Sequence, residues 1–143
     1  MRNEDIKIGD VFLVEFDGIE HEIKGCRPAV VVQNNLGNIN SPNVQIIPIS
    51  SSMAKAKLPT HVYLYPDGKN GLNKVSIAQC ESQRLRTKSC LKKILGKLSD
   101  KDMEKIAIAT IVSTPLVAYL EEQVLLKVRL MTKQKNKIKK MAV

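Results

Sequence analysis

Arg27 stands in Gly25-Cys26-Arg27-Pro28, directly ahead of the apolar run Ala29-Val30-Val31-Val32. A continuous β-branched run of this length reads as a buried strand, and the proline sets φ at its first residue. The segment therefore predicts a strand over Pro28 to Gln33 with a guanidinium at its mouth. A cation in that place calls for an anion. Either Glu20 or Glu22 supplies one across a sheet edge, or the anion is a ligand, and spacing alone leaves both open.

Short strands dominate the rest of the first hundred residues. Val11 to Phe16 reads as the first, closed by a charged loop that starts at Asp17-Gly18. An Asn-rich loop (Asn34, Asn35, Asn38) follows the Val run, and Asn43 to Ile49 is a third strand ending in Ser50-Ser51-Ser52. Thr60 to Tyr65 alternates as a half-buried strand does, and Pro66-Asp67-Gly68 turns it. Lys74 to Cys80 is the next strand, Ser82 to Leu85 suggests a helical turn, and Cys90 to Leu98 is a strand interrupted by Gly96. Strands this close together leave no room for crossover helices, so the sheet is antiparallel and the class is β-rich α+β.

Ser99 followed by Asp100 and Asp102 marks a helix start, with acids at the positive end of the dipole. Met103, Ile106, Ala107, Thr110, Ile111 and Thr114 recur at helical spacing and predict its apolar face. Pro115 should kink or divide that helix, with a second piece running through Leu120. One domain over residues 1–122 fits this length, and residues 123–143 form a basic C-terminal extension. Of the net charge of +9, seven units lie from Lys127 onward, where no acid occurs, leaving +2 for everything before. Such a composition predicts a solvated, flexible arm that can add salt-sensitive phosphate affinity.

Several classes are disfavoured. The first residues lack a signal peptide's apolar core, and no apolar run is long enough to span a bilayer, so a cytoplasmic protein with no membrane partner is expected. Three cysteines (Cys26, Cys80, Cys90) leave one unpaired in any disulfide scheme, which fits reduced thiols in a reducing compartment. His21 and His61 are far apart, and no Asp/Glu spacing suggests metal ligands. Phosphate-cradling glycine loops are missing, so neither metal nor cofactor is expected.

Taken together, Gly-X-Arg-Pro-X-X-Val, the Asn-rich loop, the hydroxyl-ended strand and Lys55-Ala56-Lys57-Leu58-Pro59-Thr60-His61-Val62 resemble the MazF/PemK family. Gly9-Asp10-Val11 extends the likeness, which covers about Ile6 to Glu121. These are the toxins of type II toxin–antitoxin pairs. The resemblance implies a compact SH3-like antiparallel barrel with a C-terminal helix. It further implies a sequence-specific endoribonuclease that cuts single-stranded mRNA without a metal, arresting translation and growth. The implied partners are single-stranded RNA, a second copy in a homodimer, and an antitoxin whose acidic C-terminal segment covers the RNA groove.

Within that reading the ribose 2′-hydroxyl attacks its own phosphate, leaving a 2′,3′-cyclic phosphate and a 5′-hydroxyl. Arg27 matches two phosphate oxygens with its planar fork and stabilises the charge of the transition state. The family's hydroxyl partner of this arginine falls on Ser50, with Ser51 and Ser52 beside it as alternatives. Glu22 stands where the family often has an acid, and His21 titrates near neutrality, so both are candidates for proton transfer. Asn34, Asn35, Ser51, Ser52, Lys55, Lys57, Arg84 and Arg86 are candidate RNA contacts. Ser82 replaces the family's usual Gln between Glu81 and Arg84. Cys26 is read as a small apolar residue and His61 as structural. Two alternatives stand beside the nuclease: a non-catalytic toxin of this fold that binds DNA gyrase, and an RNA-binding module whose site has decayed.

Overall fold

The computed structural model describes residues 5–18, 23–53 and 58–141, with side-chain surroundings through residue 133. Eight residues of β1 (Asp10–Asp17) pair antiparallel with β2 (Lys24–Val31), and β2 pairs in turn with β3 (Asn43–Ser50). Three further strands follow, β4 (His61–Leu64), β5 (Ser76–Gln79) and β6 (Arg84–Thr87), and then β7 (Leu91–Lys97) returns to pair with β1. The order β4-β5-β3-β2-β1-β7, with β6 alongside β3, makes one seven-stranded antiparallel sheet with helices. This is the expected α+β, β-rich class. The ladders do not close into a ring, so the barrel description holds only approximately.

β2 starts four residues before the predicted strand. Gly25 to Pro28 pair with Phe16 to Leu13 of β1, while the β3 ladder begins only at Ala29. Pro28 sits where one of the two ladders has run out, a place in a sheet that tolerates a residue without an N–H. Burial follows the pairing: the first half of β2 is exposed and Ala29 to Val31 are fully buried.

Strand alternation sorts the apolar residues into two cores. Val11, Val30, Ile47, Ile49, Val62, Leu64 and Ala78 face α2 (Asp100–Ser113), which contributes Ile106 and Ala109. On the opposite face, Phe12, Val14, Phe16, Ala29, Val31, Val44 and Ile46 pack together. Each fully buried Val or Ile contributes about 1.5–3 kcal/mol, so these two clusters dominate the stability.

Three local expectations are corrected by the structure. The Asn-rich segment is a short helix, α1 (Asn35–Asn40), because the Asn34 side chain accepts the Gly37 N–H at 2.9 Å and caps it. The helical turn lies at Cys80–Ser82, and Arg84–Thr87 is strand because it pairs with β3. The buried stripe of α2 runs through Ile106 and Ala109, whereas Ala107, Ile111 and Thr114 of the predicted face are exposed. Past the break at Pro115, the basic segment forms the helix α3 (Glu122–Met141). Ser99 caps α2 as predicted, accepting the Asp102 N–H at 3.1 Å. All three cysteines are free, and burial pushes the Cys80 thiol up to about 11.

Candidate functional site

Arg27 lies in the exposed half of β2, directly opposite Val14 of β1. The β2–β3 ladder ends at the pair Ala29 and Pro48, and carrying its register two residues further sets Arg27 opposite Ser50. By strand alternation from Ala29 and Ile46, both residues belong to the face of the second core. The row continues through Ile77 of β5 to Tyr63 of β4.

The two side chains are held but keep donors in hand. Arg27 gives its Nε–H to the Lys24 carbonyl at 3.2 Å, which orients the fork and leaves the two Nη groups as further donors. Ser50 is 6 % exposed, and its Oγ accepts the Ser52 N–H at 3.2 Å. A hydroxyl that accepts through one lone pair still has its own proton to donate. Ser51 and Ser52 are exposed just past the strand end.

Arg84 and Arg86 alternate along β6 opposite Ile46 and Val44, which puts both on the face of Arg27 and Ser50. Their guanidinium carbons lie 5.7 and 5.9 Å from the centroid of the buried Phe16 ring, within cation–π range. Phe16 opposes Gly25, two residues from Arg27 on β2, so Arg84 reaches the same rim. Arg84 also donates Nε–H to the Ser82 carbonyl at 3.1 Å. Arg86 is committed elsewhere. Its Nη2 donates to the Glu15 carbonyl at 2.9 Å and to Asp17 Oδ1 at 2.7 Å, clamping β6 to β1. Burial opposes its charge, but the hydrogen bonds and charges of Asp17 and Cys90 together outweigh that effect and raise its pKa above the ordinary value.

The asparagines stand apart from this rim. Asn34 caps α1, and Asn35 Oδ1 accepts the Ile8 N–H at 2.9 Å. Both follow the far end of β2, seven residues or more beyond Arg27, which is about 23 Å along an extended strand. Asn38 is fully buried. His21, Glu22, Lys55 and Lys57 lie outside the described residues.

One network went unread in the sequence. His61, whose ring is 3 % exposed, bonds through Nε2 to Glu81 Oε1 at 2.8 Å, and Thr60 Oγ1 donates to Glu81 Oε2 at 2.8 Å. Burial pushes the Glu81 carboxyl up, but the hydrogen bonds it accepts outweigh that and hold its pKa below the usual value. The network ties the start of β4 to the turn after β5, a structural role for His61. A groove of about 390 Å³ opens beside it, between β4 and α2, lined by Pro59, His61, Tyr65, Lys105 and Ile108. Among the described residues no three His, Cys, Asp or Glu side chains gather closely enough to hold a metal ion.

Comparison with known proteins places the chain in a family. Residues 7–113 match the family profile described as PemK-like, MazF-like toxin of type II toxin–antitoxin systems. The endoribonuclease MazF of Staphylococcus saprophyticus is 39 % identical over 99 residues, covering 68 % of this chain and 82 % of that protein. A mycobacterial endoribonuclease solved with its cognate antitoxin superposes with a TM-score of 0.65 at 21 % identity, covering 78 % of this chain and 96 % of that one. MazF from Deinococcus radiodurans gives 0.63 at 19 % identity, covering 75 % and 94 %. These structural likenesses show the fold.

Proposed function

The chain belongs to the PemK-like, MazF-like toxins of type II toxin–antitoxin systems, and from that premise we propose that it is an endoribonuclease acting on single-stranded RNA in the cytoplasm. The observation that supports this reading is the Ala29–Pro48 pair, beyond which Arg27 and Ser50 each stand two residues along their strands on the face of the second core, with Arg84 over Phe16 on that face. That arrangement supplies what cleavage by the substrate's own 2′-hydroxyl requires. The 2′-oxygen attacks phosphorus, the P–O5′ bond breaks, and a 2′,3′-cyclic phosphate and a 5′-hydroxyl result. The Arg27 fork meets two phosphate oxygens as charge builds on them, and the Ser50 proton donates to a phosphate oxygen or orients the 2′-hydroxyl. His21 and Glu22 remain the proposed groups for taking the 2′-proton and returning one to the 5′-oxygen.

No step in this scheme calls on a metal. Purified protein in excess EDTA is therefore expected to cut mixed single-stranded RNA at discrete positions, leaving ends that polynucleotide kinase labels directly at the 5′-hydroxyl. Intact RNA across many sequences, with or without added divalent ions, would overturn the nuclease reading in favour of a binding toxin.

The active unit is proposed to be a homodimer, with the antitoxin's acidic segment as the inhibitor that competes for the basic rim. Exposed apolar residues on α2 support the dimer: Ile108, Ile111 and Val112 are 59, 49 and 51 % exposed, beside the free-edge strand β4. An apolar face of this kind marks an interface. Ile111→Glu is expected to convert a species of twice 15.9 kDa into monomer in sedimentation equilibrium. Unchanged mass for that variant would place the dimer contact elsewhere.

A further inference from the structure

The family profile stops at residue 113, yet the chain continues into a twenty-residue helix, α3. From Lys127 to the end it carries seven cations and no acid, against +2 for all the residues before. Lys127, Arg129 and Lys133 are exposed, and no ion pair among the described residues involves them.

We propose that α3 is a second, sequence-independent contact for RNA, holding backbone phosphates through its cations from Lys127 to Lys140 while the rim around Arg27 does the cutting. The inference rests on the nuclease reading for its ligand and goes beyond it in site. The spacing of the cations favours RNA over a protein partner. The lysines at 133, 135, 137 and 139 recur every second residue, a spacing that keeps to no single helical face. A flexible polyanion can follow such a distribution along the helix. The helix places its cations along about 20 Å, enough to meet several phosphates in succession.

Binding is best read on full-length Arg27→Ala protein, which keeps the RNA intact, beside the same protein with Lys133, Lys135, Lys137, Lys139 and Lys140 all changed to Gln. Glutamine preserves helix propensity, and circular dichroism checks that the fold is kept. Fluorescence anisotropy with two unrelated single-stranded RNAs over a KCl series gives the slope of log K against log salt. Each phosphate contact on a single strand contributes about 0.7 to that slope, so the five changes are expected to reduce it by about 2–3, equally for both RNAs. A reduction below about 0.7 (less than one contact) overturns the proposal. So does an unchanged RNA slope combined with lost affinity for a polyglutamate peptide, since the occupant is then an acidic protein segment. If the wild type cleaves nothing but the slope falls as expected, the nuclease reading fails and this contact stands.

Discussion

Arg27→Ala is expected to lower the rate of RNA cleavage by about a thousandfold, the loss typical for removing a group that meets developing oxyanion charge. The melting temperature should stay within about 2 °C of wild type, since surface substitutions usually move stability by less than about 0.5 kcal/mol. Arg27 is exposed and its side chain's one described bond, to the Lys24 carbonyl, stays within β2. The contrast between the two readouts separates catalysis from folding. Arg27→Lys tests the fork itself. A lysine keeps the charge but offers a point donor, so a recovery of no more than about tenfold is expected if two phosphate oxygens are held at once. Ser50→Ala should cost less, about tenfold to a hundredfold, because a neutral hydroxyl contributes one bond of about 1.5–3 kcal/mol to a charged oxygen. Cleavage by Arg27→Ala at the wild-type rate would sink the assignment of the site. If only Ser50→Ala keeps full activity, the hydroxyl partner moves to Ser51 or Ser52, both exposed beside it.

What the sequence revealed of this site follows from how local each signal is. The β-branched run after Pro28 and the hydroxyls after Ile49 are local features, and both strands were legible within a few residues. Their meeting is a matter of register, which the resemblance to a family anticipated and which the ladder through Ala29 and Pro48 supports. The role of β6 was hidden. Arg84–Thr87 becomes strand only because β3 offers a ladder, and that pairing spans some forty residues of chain. Once the segment is strand, the two-residue spacing of Arg84 and Arg86 puts them on one face over Phe16, a consequence a helical turn would not have. The asparagines carry a different ambiguity. Asn is both a base-reading side chain and a good cap, and Asn34 and Asn35 bond the chain's own N–H groups. On α2 the sheet covers a narrower stripe than the apolar pattern spans, and the excess, Ile108, Ile111 and Val112, is the surface assigned to a second copy.

Gly71→Ala is the substitution expected to damage the fold most, by about 3 kcal/mol or more, and two other glycines show why. Gly68 has φ +80° with nothing within 4 Å of an added Cβ, so Gly68→Ala carries only the left-handed backbone cost of about 1–2 kcal/mol. Gly96 has no such φ, but an added Cβ would stand 2.5 Å from the Asn70 carbonyl carbon and 2.7 Å from the Gly71 nitrogen. Its cost is a clash with backbone, about 1–3 kcal/mol. Gly71 combines the two, with φ +72° and a Cβ that would lie 2.5 Å from the Leu95 carbonyl carbon. The close approach has a purpose in the sheet. The Lys97 N–H reaches the Lys69 carbonyl at 2.9 Å, binding the loop across β7, and β7 in turn closes the edge of β1. A side chain at Gly71 or Gly96 wedges that loop away from the strand, which is also why a glycine interrupts β7 at all. Thermal melts of the three alanine variants should therefore rank Gly71 as the most destabilised, by roughly 10 °C, with Gly68 the least. If Gly71→Ala melts no lower than Gly68→Ala, the loop yields to the new methyl and the contact with β7 is not what demands glycine there.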